Sequence, residues 1–223
     1  MNKDITDQLE SVISTALHNF NMYYTNKAIE FLRKLNVSGF IFVSSFKPGD
    51  IPCGNSLACS IGLGGYGIIF VKRDILEDSS IPEKFKEFII AHEIVHIVRN
   101  HVVVSLFIRI LFGASLEAIM EIIKKAPKSR ELENILSIFF ALPILVATTG
   151  GFLKADVEEV KRQELEADTI AIQLTGCEGA LLFAKLLKEL QKMGYNVSHE
   201  AALSIPALTI EERVSNLLQQ CSD

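Results

Sequence analysis

The sequence predicts a mostly helical α+β fold, a single domain over residues 1–223 with a small antiparallel sheet and an inserted apolar helical hairpin. Apolar residues recur at helical spacing over most of the chain. Two short apolar runs flank a glycine-rich turn, which is typical of a β-hairpin. Two longer apolar blocks lie on either side of a charged linker. A chain of 223 residues is also long enough to bury a substantial core.

The first third of the chain predicts two helices and then the sheet. Residues 1–36 carry apolar side chains at helical spacing, and the pattern breaks near Asn21. Residues 39–72 predict the sheet, because the run GFIFVS is followed by two more apolar runs that a glycine-rich turn joins.

The remainder of the chain predicts helices. Serines followed by Pro82 give a helix-start signal, so residues 82–101 are expected to form a long helix. Residues 102–153 hold the apolar blocks and predict the inserted hairpin. Residues 155–223 predict the C-terminal helices, with helix resuming near Ala155 after a proline and a glycine pair.

Charge and cysteine content exclude some classes of protein. The net charge is −5 and the basic residues are not clustered, so no nucleic-acid partner is expected. The cysteines form no C-x-x-C pair, and free thiols in a reducing compartment are the favoured interpretation. A Cys53–Cys59 bridge is the alternative. The polar N-terminus has no apolar segment of the kind a secretory signal needs, so the protein is expected to be cytoplasmic.

The run His92-Glu93-Ile94-Val95-His96 lies within the predicted helix of residues 82–101. Residues four apart in a helix share a face, so His92 and His96 can bind the same metal ion. Glu93 stands beside the first histidine, where it can take a proton from a zinc-bound water that attacks a carbonyl. A chance match is the competing interpretation of the motif alone.

A catalytic zinc ion usually has three protein ligands, and the third is expected from the acidic run that ends at Asp168. Glu164 and Asp168 share a helix face, so Glu164 can bind the metal while Asp168 hydrogen-bonds the far nitrogen of a ligand histidine. Glu166 points away and is the alternative ligand. His101 falls on another helix face and is expected to support the site or the fold rather than to bind metal.

The sequence resembles the gluzincin metallopeptidases of the CAAX prenyl protease and HtpX type. The resemblance lies in the motif H-E-x-x-H, followed after a long gap by E-x-x-A-D. Asn55-Ser56-Leu57-Ala58 before the sheet and Ala91 before His92 extend the likeness, as does His101 beyond it. The resemblance implies a zincin-like active-site helix beside the sheet, with Glu93 as catalytic base and Glu164 as third ligand. It also implies an edge strand that binds extended peptide, formed by Ile68, Ile69, Phe70 and Val71.

The C-terminal segment departs from that family. Its relatives carry H-P-x-x-x-x-R, whose histidine and arginine are thought to stabilise the oxyanion. Here Ile205 takes the place of the histidine, and Arg213 lies two residues further along than expected. Arg213 and His199 are the candidates for the oxyanion role, and loss of one such donor typically costs about 10²–10³ in rate.

The apolar insertion raises the question of a membrane. Residues 135–153 are long enough to span and residues 102–123 are interrupted by charges, and both must cross or neither. The favoured expectation is a buried or membrane-touching hairpin, with a membrane-associated protein whose catalytic part is cytoplasmic as the alternative location. An exposed apolar patch there would favour a homodimer or lipid contact.

These observations predict a zinc-dependent endopeptidase with one Zn²⁺ per chain, which hydrolyses peptide bonds in peptide or protein substrates by a Glu93-activated, zinc-bound water. The alternative is a catalytically weak, zinc-bound scaffold or partner-binding protein, which the altered C-terminal segment favours.

Overall fold

The computed structural model describes residue 14 and residues 17–47, 56–125, 131–195, 197–200 and 205–222. The predicted N-terminal residues before Ser14 and the predicted loop around Pro52 lie outside this described part. The chain divides into two compact units where the sequence predicts one domain carrying an insertion. One unit comprises Met1–Val102, Gln163–Asn196 and Ile210–Asp223, and the other comprises Val103–Arg162 and Val197–Thr209.

Seven named helices and five strands make up the described residues, and the mostly helical α+β class is confirmed. In chain order they are α1 (Met22–Lys34), β1 (Phe40–Phe46), β2 (Ala58–Leu63), β3 (Tyr66–Lys72), α2 (Arg73–Leu76), α3 (Glu83–Val98), α4 (His101–Lys125), α5 (Glu131–Thr175), α6 (Cys177–Lys192), β4 (Val197–Glu200), β5 (Pro206–Thr209) and α7 (Ile210–Gln220). Asn21 caps α1 by accepting a hydrogen bond from the Tyr24 N–H, at the break that the sequence predicts.

The sheet of the first unit has the strand order β1–β3–β2. β2 and β3 form the predicted antiparallel hairpin, whose turn residues Gly64 and Gly65 adopt positive φ angles of 60° and 95°. β1 pairs with β3 in parallel, so the sheet is mixed rather than purely antiparallel. The hairpin follows from local sequence, whereas the side on which β1 joins depends on long-range packing.

β3 is the central strand, which corrects the sequence prediction. Its backbone pairs with β1 on one side and β2 on the other. Ile68, Ile69, Phe70 and Val71 therefore do not form an edge to which a peptide strand could add. The backbone around Phe20 meets the outer side of β1, through a bridge to Ser44 and hydrogen bonds at Asn19 and Asn21. β2 is the strand of this sheet that pairs on one side only within the described residues.

α3 is the core helix of the first unit. Most of its side chains are buried, including Phe88, Ile90, Ile94 and Ile97. It packs against the sheet, α1 and α6. The close fit against the sheet is visible at Gly62 and Gly67, where an added Cβ would lie 2.9 Å from the Ile97 side chain. This helix is expected to be rigid, because burial on most faces leaves its side chains little room to move.

α5 is one continuous helix, whereas the sequence predicts that helix resumes near Ala155. The helix runs through Pro143 and the pair Gly150-Gly151 without interruption. Glycine costs a helix about 1 kcal/mol and proline about 3 kcal/mol relative to alanine, so the helix continues here against the local preference of these residues. The second unit also contains the β4–β5 hairpin, which the sequence does not predict because its strands are only four residues long.

The free-thiol prediction is wrong. A disulfide joins Cys177, the first residue of α6, to Cys221, which directly follows α7. Cys59 is also disulfide-bonded, and Cys53 lies outside the described residues. A disulfide requires two Cα atoms within about 7 Å, and the spacing of cysteines along a chain does not reveal that proximity.

Among the described residues, no single helix has both the length and the apolar composition needed to cross a membrane. The segments Glu83–Val98 and His101–Ala114 pass that test only as a pair, and the pair is bent by 52°.

Candidate metal centre

α3 presents His92 and His96 on one face, as their spacing predicts. Their Nε2 atoms lie 3.0 Å apart. His92 is buried and His96 half-buried. Because α3 is fixed by packing on most sides, the two imidazoles are held in place by the core rather than by a loop.

Glu164 of α5 completes a group that could hold a metal ion with the two histidines. Its two carboxylate oxygens lie 3.5 Å from His92 Nε2 and 3.3 Å from His96 Nε2. Atoms bound to one tetrahedral zinc ion at about 2.0–2.2 Å stand about 3.3–3.6 Å from each other. Both Glu164 distances fall in this range, and the 3.0 Å between the two histidine nitrogens is slightly shorter. Two imidazole nitrogens and a carboxylate are also the donor types that zinc prefers, so the group fits a zinc ion.

Asp168 lies one turn beyond Glu164, and its side chain is fully buried. One of its oxygens is 2.9 Å from His92 Nδ1, the nitrogen that faces away from the group of ligands. Burial alone would lower the pKa of His92. The hydrogen bonds with Asp168 and Glu164 outweigh burial and raise that pKa to about 10. Asp168 is thus placed to fix the orientation and tautomer of His92, as the sequence predicts.

Arg213 of α7 connects the two carboxylates. Its Nε and Nη2 donate to the two oxygens of Asp168 at 2.9 and 2.8 Å, and its Nη1 is 3.2 Å from Glu164. The bidentate pairing offsets the burial of Asp168, which would raise the pKa of that carboxyl, and holds the pKa below its usual value. Arg213 is itself buried. The sequence predicts Arg213 near the site, and the structure brings it against Asp168 and Glu164.

Glu93 follows His92 on α3 and is half-buried. Its negative charge contributes to raising the pKa of Arg213, after the larger effects of burial and of Asp168 and Glu164. Glu93 is therefore close to the same cluster of charges, and it makes no ion pair among the contacts of the described residues.

His101 lies much closer to the metal-binding group than a straight helix would allow. α3 ends at Val98, Asn100 adopts a left-handed φ of 58°, and α4 begins at His101. The buried His101 ring places its Nδ1 2.9 Å from Nδ1 of His96. Glu166, the alternative ligand from the sequence, lies 3.6 Å from His101 Nε2 and 3.0 Å from Nε of Arg99.

Comparison with known families decides the class of this site. The model of Peptidase family M48 matches residues 55–218. The chain belongs to peptidase family M48. This match includes α3, α5 and Arg213, so every residue of the metal centre falls within it. No curated protein and no solved structure matches the chain.

Membership in family M48 confirms a metallopeptidase and the predicted gluzincin resemblance, and M48 peptidases are zinc-dependent. In the C-terminal segment, Ile205 directly precedes β5 and Arg213 lies on α7. His199, the other oxyanion candidate, is exposed on β4 in the second unit.

Two aromatic residues of the site have no distinguishing signal in the sequence. The Phe183 ring of α6 lies 4.8 Å from the Arg213 guanidinium, and Phe88 contacts the His92 ring. A guanidinium over an aromatic face is held by a cation–π interaction. Buried phenylalanines at helical spacing are ordinary core residues, so nothing in the pattern marks these two.

Proposed function

We propose that this M48 chain is a zinc endopeptidase with one Zn²⁺ ion, held by Nε2 of His92, Nε2 of His96 and the Glu164 carboxylate. The observation that carries the proposal is the convergence of these three donors, whose ligand atoms all lie within 4.8 Å of one another. The second support is Asp168 against His92 Nδ1, an arrangement commonly found around zinc-bound histidines.

Zinc supplies Lewis acidity, which makes water a nucleophile near neutral pH. Glu93 is the general base in this proposal: its carboxylate accepts a proton from the attacking water and delivers it to the leaving amine. Asp168 holds the Nδ1 proton of His92, so that Nε2 presents its lone pair. Peptide hydrolysis then needs no further proton carrier from this chain.

We assign Arg213 to positioning rather than to contact with the oxyanion. Three of its nitrogen atoms already face Asp168 and Glu164, and the guanidinium is buried on the Phe183 ring. This geometry orients the metal-binding carboxylate and the His92 partner. The rate is therefore expected to fall below that of relatives with the complete C-terminal motif, because one oxyanion donor is typically worth about 10²–10³ in rate.

The test is Glu93→Gln, which keeps the shape of the side chain and removes the base. We expect one zinc ion per chain, as in wild type, and loss of at least about 10²-fold in cleavage of terminally blocked peptides. The matched control is Glu178→Gln on the exposed side of α6. Wild-type protein that binds stoichiometric zinc and cleaves no peptide library would favour the scaffold function instead.

We further propose that the substrate adds to β2. This strand pairs with β3 on one side and packs against α3, which carries His92 and His96. Exposed Ile61 and Leu63 offer side-chain contacts. An extended peptide at a strand edge gains backbone hydrogen bonds at alternate residues.

Peptides with a single N-methyl group test this role of β2. Methylation removes one backbone donor, so kcat/KM should fall at alternate positions of the peptide and change little at the positions between. A uniform response along the peptide would contradict edge addition, whereas cleavage itself would leave the zinc endopeptidase intact.

The membrane contact is also a proposal. Half of the circumference of α4 between Val103 and Ala114 is exposed and entirely apolar, with Leu106, Phe107 and Ile110 at its centre. Arg109 lies on the other side, against the buried Asp156. Helices of water-soluble proteins normally show the reverse pattern. Twelve residues cover about 18 Å, less than the roughly 30 Å hydrocarbon core, so we propose contact with a lipid surface without crossing.

Flotation with neutral phosphatidylcholine vesicles tests the lipid contact. Wild type should float, and the double variant Phe107→Asp/Ile110→Asp should not. Leu181→Asp on α6 is the control, because Leu181 is also exposed and lies in the other unit. A concentration-dependent dimer that the double variant abolishes, without flotation of wild type, would assign the surface to a homodimer.

A further inference from the structure

The two histidines of the metal centre each have a partner at the nitrogen that faces away from the metal-binding group. Asp168 serves His92. For His96, the partner is another imidazole: His101 Nδ1 lies 2.9 Å from His96 Nδ1. His101 is 2% exposed, and its backbone oxygen accepts a hydrogen bond of 3.4 Å from the Gln163 amide. His101 is therefore held both by the contact of its ring with His96 and by the hydrogen bond at its backbone oxygen.

The hydrogen positions along this contact follow from the role of His96. A ligand nitrogen must present its lone pair, so His96 Nε2 carries no hydrogen when it binds metal. The hydrogen of the neutral imidazole is then on Nδ1, which donates to His101 Nδ1. His101 must accept there, and its own hydrogen lies on Nε2. That nitrogen faces Glu166 at 3.6 Å.

The contact continues to the protein surface. The other oxygen of Glu166 is 3.0 Å from Nε of Arg99, whose side chain is 55% exposed. The donors and acceptors are consistent in one direction. His96 donates to His101, and Arg99 pairs with Glu166. Between them, His101 Nε2 and the Glu166 carboxylate make a charge contact at 3.6 Å, which is longer than a hydrogen bond. Reversal would require His96 to carry its hydrogen on the ligand nitrogen.

We propose that His101 is a positioning residue that holds His96 in the metal-binding tautomer, and that Glu166 and Arg99 hold His101 in turn. The inference rests on the proposed zinc site. It assigns Glu166 a function other than ligation, and it gives His101 a function that the H-E-x-x-H motif does not include. Removal of such outer partners typically weakens metal affinity about 10- to 100-fold.

The test compares His101→Leu with His101→Asn by zinc competition against a chelator. Leucine removes the acceptor, and we expect about 10- to 100-fold weaker zinc binding. Asparagine keeps an oxygen near the position of Nδ1, so zinc affinity should return to within a few-fold of wild type. Equal loss in both variants, with unchanged circular dichroism, would show that the ring acts by packing and would overturn the proposal.

Two further measurements keep the test independent of folding. Glu166→Leu at the outer end should weaken zinc binding a few-fold, and Glu189→Leu in an exposed ion pair of α6 is the control. In zinc-loaded wild type, long-range nitrogen–proton NMR correlations should place hydrogen on His96 Nδ1 and His101 Nε2, and the opposite tautomers would overturn the proposal. Wild type that binds no zinc would instead refute the proposed zinc site.

Discussion

The supports behind His92 and His96 differ in charge and in depth. Each histidine has a partner 2.9 Å from its Nδ1, an aspartate for His92 and a second imidazole for His96. Behind Asp168 lies the buried Arg213, whereas behind His101 lies the Glu166–Arg99 pair at the surface. Both supports orient a ligand histidine. The buried charges of Asp168 and Arg213 do so for His92, and His101 with a surface ion pair does so for His96.

This difference predicts different consequences for stability and for binding. A buried carboxylate increases the basicity of the imidazole and depends on its own compensating cation, so removing any member leaves a charge uncompensated. A neutral imidazole mainly fixes orientation, and solvent can replace the ion pair behind it. We therefore expect the His92 support to control both folding and zinc affinity, and the His96 support to control mainly zinc affinity.

The largest expected effect is that of Asp168→Leu. It leaves the Arg213 guanidinium buried without its bidentate partner, and loss of one member of a buried pair costs about 3–5 kcal/mol. Zinc affinity should also fall about 10- to 100-fold. Urea unfolding and chelator competition measure the two effects. Asp168→Asn is the control, because it keeps an acceptor for His92, and an equal zinc deficit in both variants would contradict the tautomer argument.

Arg213→Met is expected to rank second. It removes one partner each of Asp168 and Glu164, but His92 still hydrogen-bonds Asp168. The expected cost is therefore that of buried groups that lose one hydrogen-bond partner, about 1–3 kcal/mol. The loss in unfolding free energy should be larger in chelator than with zinc, because a bound cation offsets the charge of Glu164. An equal loss of unfolding free energy with zinc and in chelator would show that Arg213 stabilises the protein only through its packing on Phe183.

The part of the site that lies within one helix could be predicted from the sequence. The spacing of His92 and His96, and of Glu164 and Asp168, defines shared helix faces, and the structure brings these residues together. His101 could not be placed in this way. On an uninterrupted helix it would face away from His96, and it approaches because Asn100 turns the chain in a left-handed conformation.

The features that escaped prediction depend on distant parts of the chain. Whether β3 is central or at an edge depends on β1, more than twenty residues earlier. The Cys177–Cys221 bridge joins the first residue of α6 to the residue that follows α7. The absence of a C-x-x-C pair carries no information on such a bridge. The cytoplasmic location stays a prediction, and disulfides are more typical of oxidising compartments.

The third prediction concerns pH in protein stripped of metal by a chelator. The pKa of His92 is about 10 in the folded protein and 6.5 in the unfolded chain. Its contribution to the free energy of unfolding is therefore complete below about pH 6.5 and is lost as the pH rises towards 10. The pKa of Asp168 is lower in the folded protein than in the unfolded chain. Asp168 therefore stabilises the fold above its unfolded pKa, and this stabilisation is lost as the pH falls through its pKa in the folded protein. Stability should therefore decline on both sides of an interval from about pH 4 to 6.5.

Urea midpoints between pH 3 and 9 measure this profile. In Asp168→Asn the alkaline decline should shrink, since His92 loses the partner that raises its pKa most. An alkaline decline as steep in Asp168→Asn as in wild type would attribute the profile to other groups.

Arg99→Met should have the smallest effect, and it sharpens the comparison most. Its partner Glu166 is partly exposed, and a surface ion pair contributes about 0.2–1 kcal/mol or less. Unfolding free energy should change by less than about 0.5 kcal/mol, while zinc affinity falls by no more than a few-fold and only at low salt, because ions screen exposed pairs. The methionine keeps the apolar length of the arginine stem, so packing is conserved. An Arg99→Met variant as destabilised as Arg213→Met would show that both histidine supports depend on buried charge, and the distinction between them would fail.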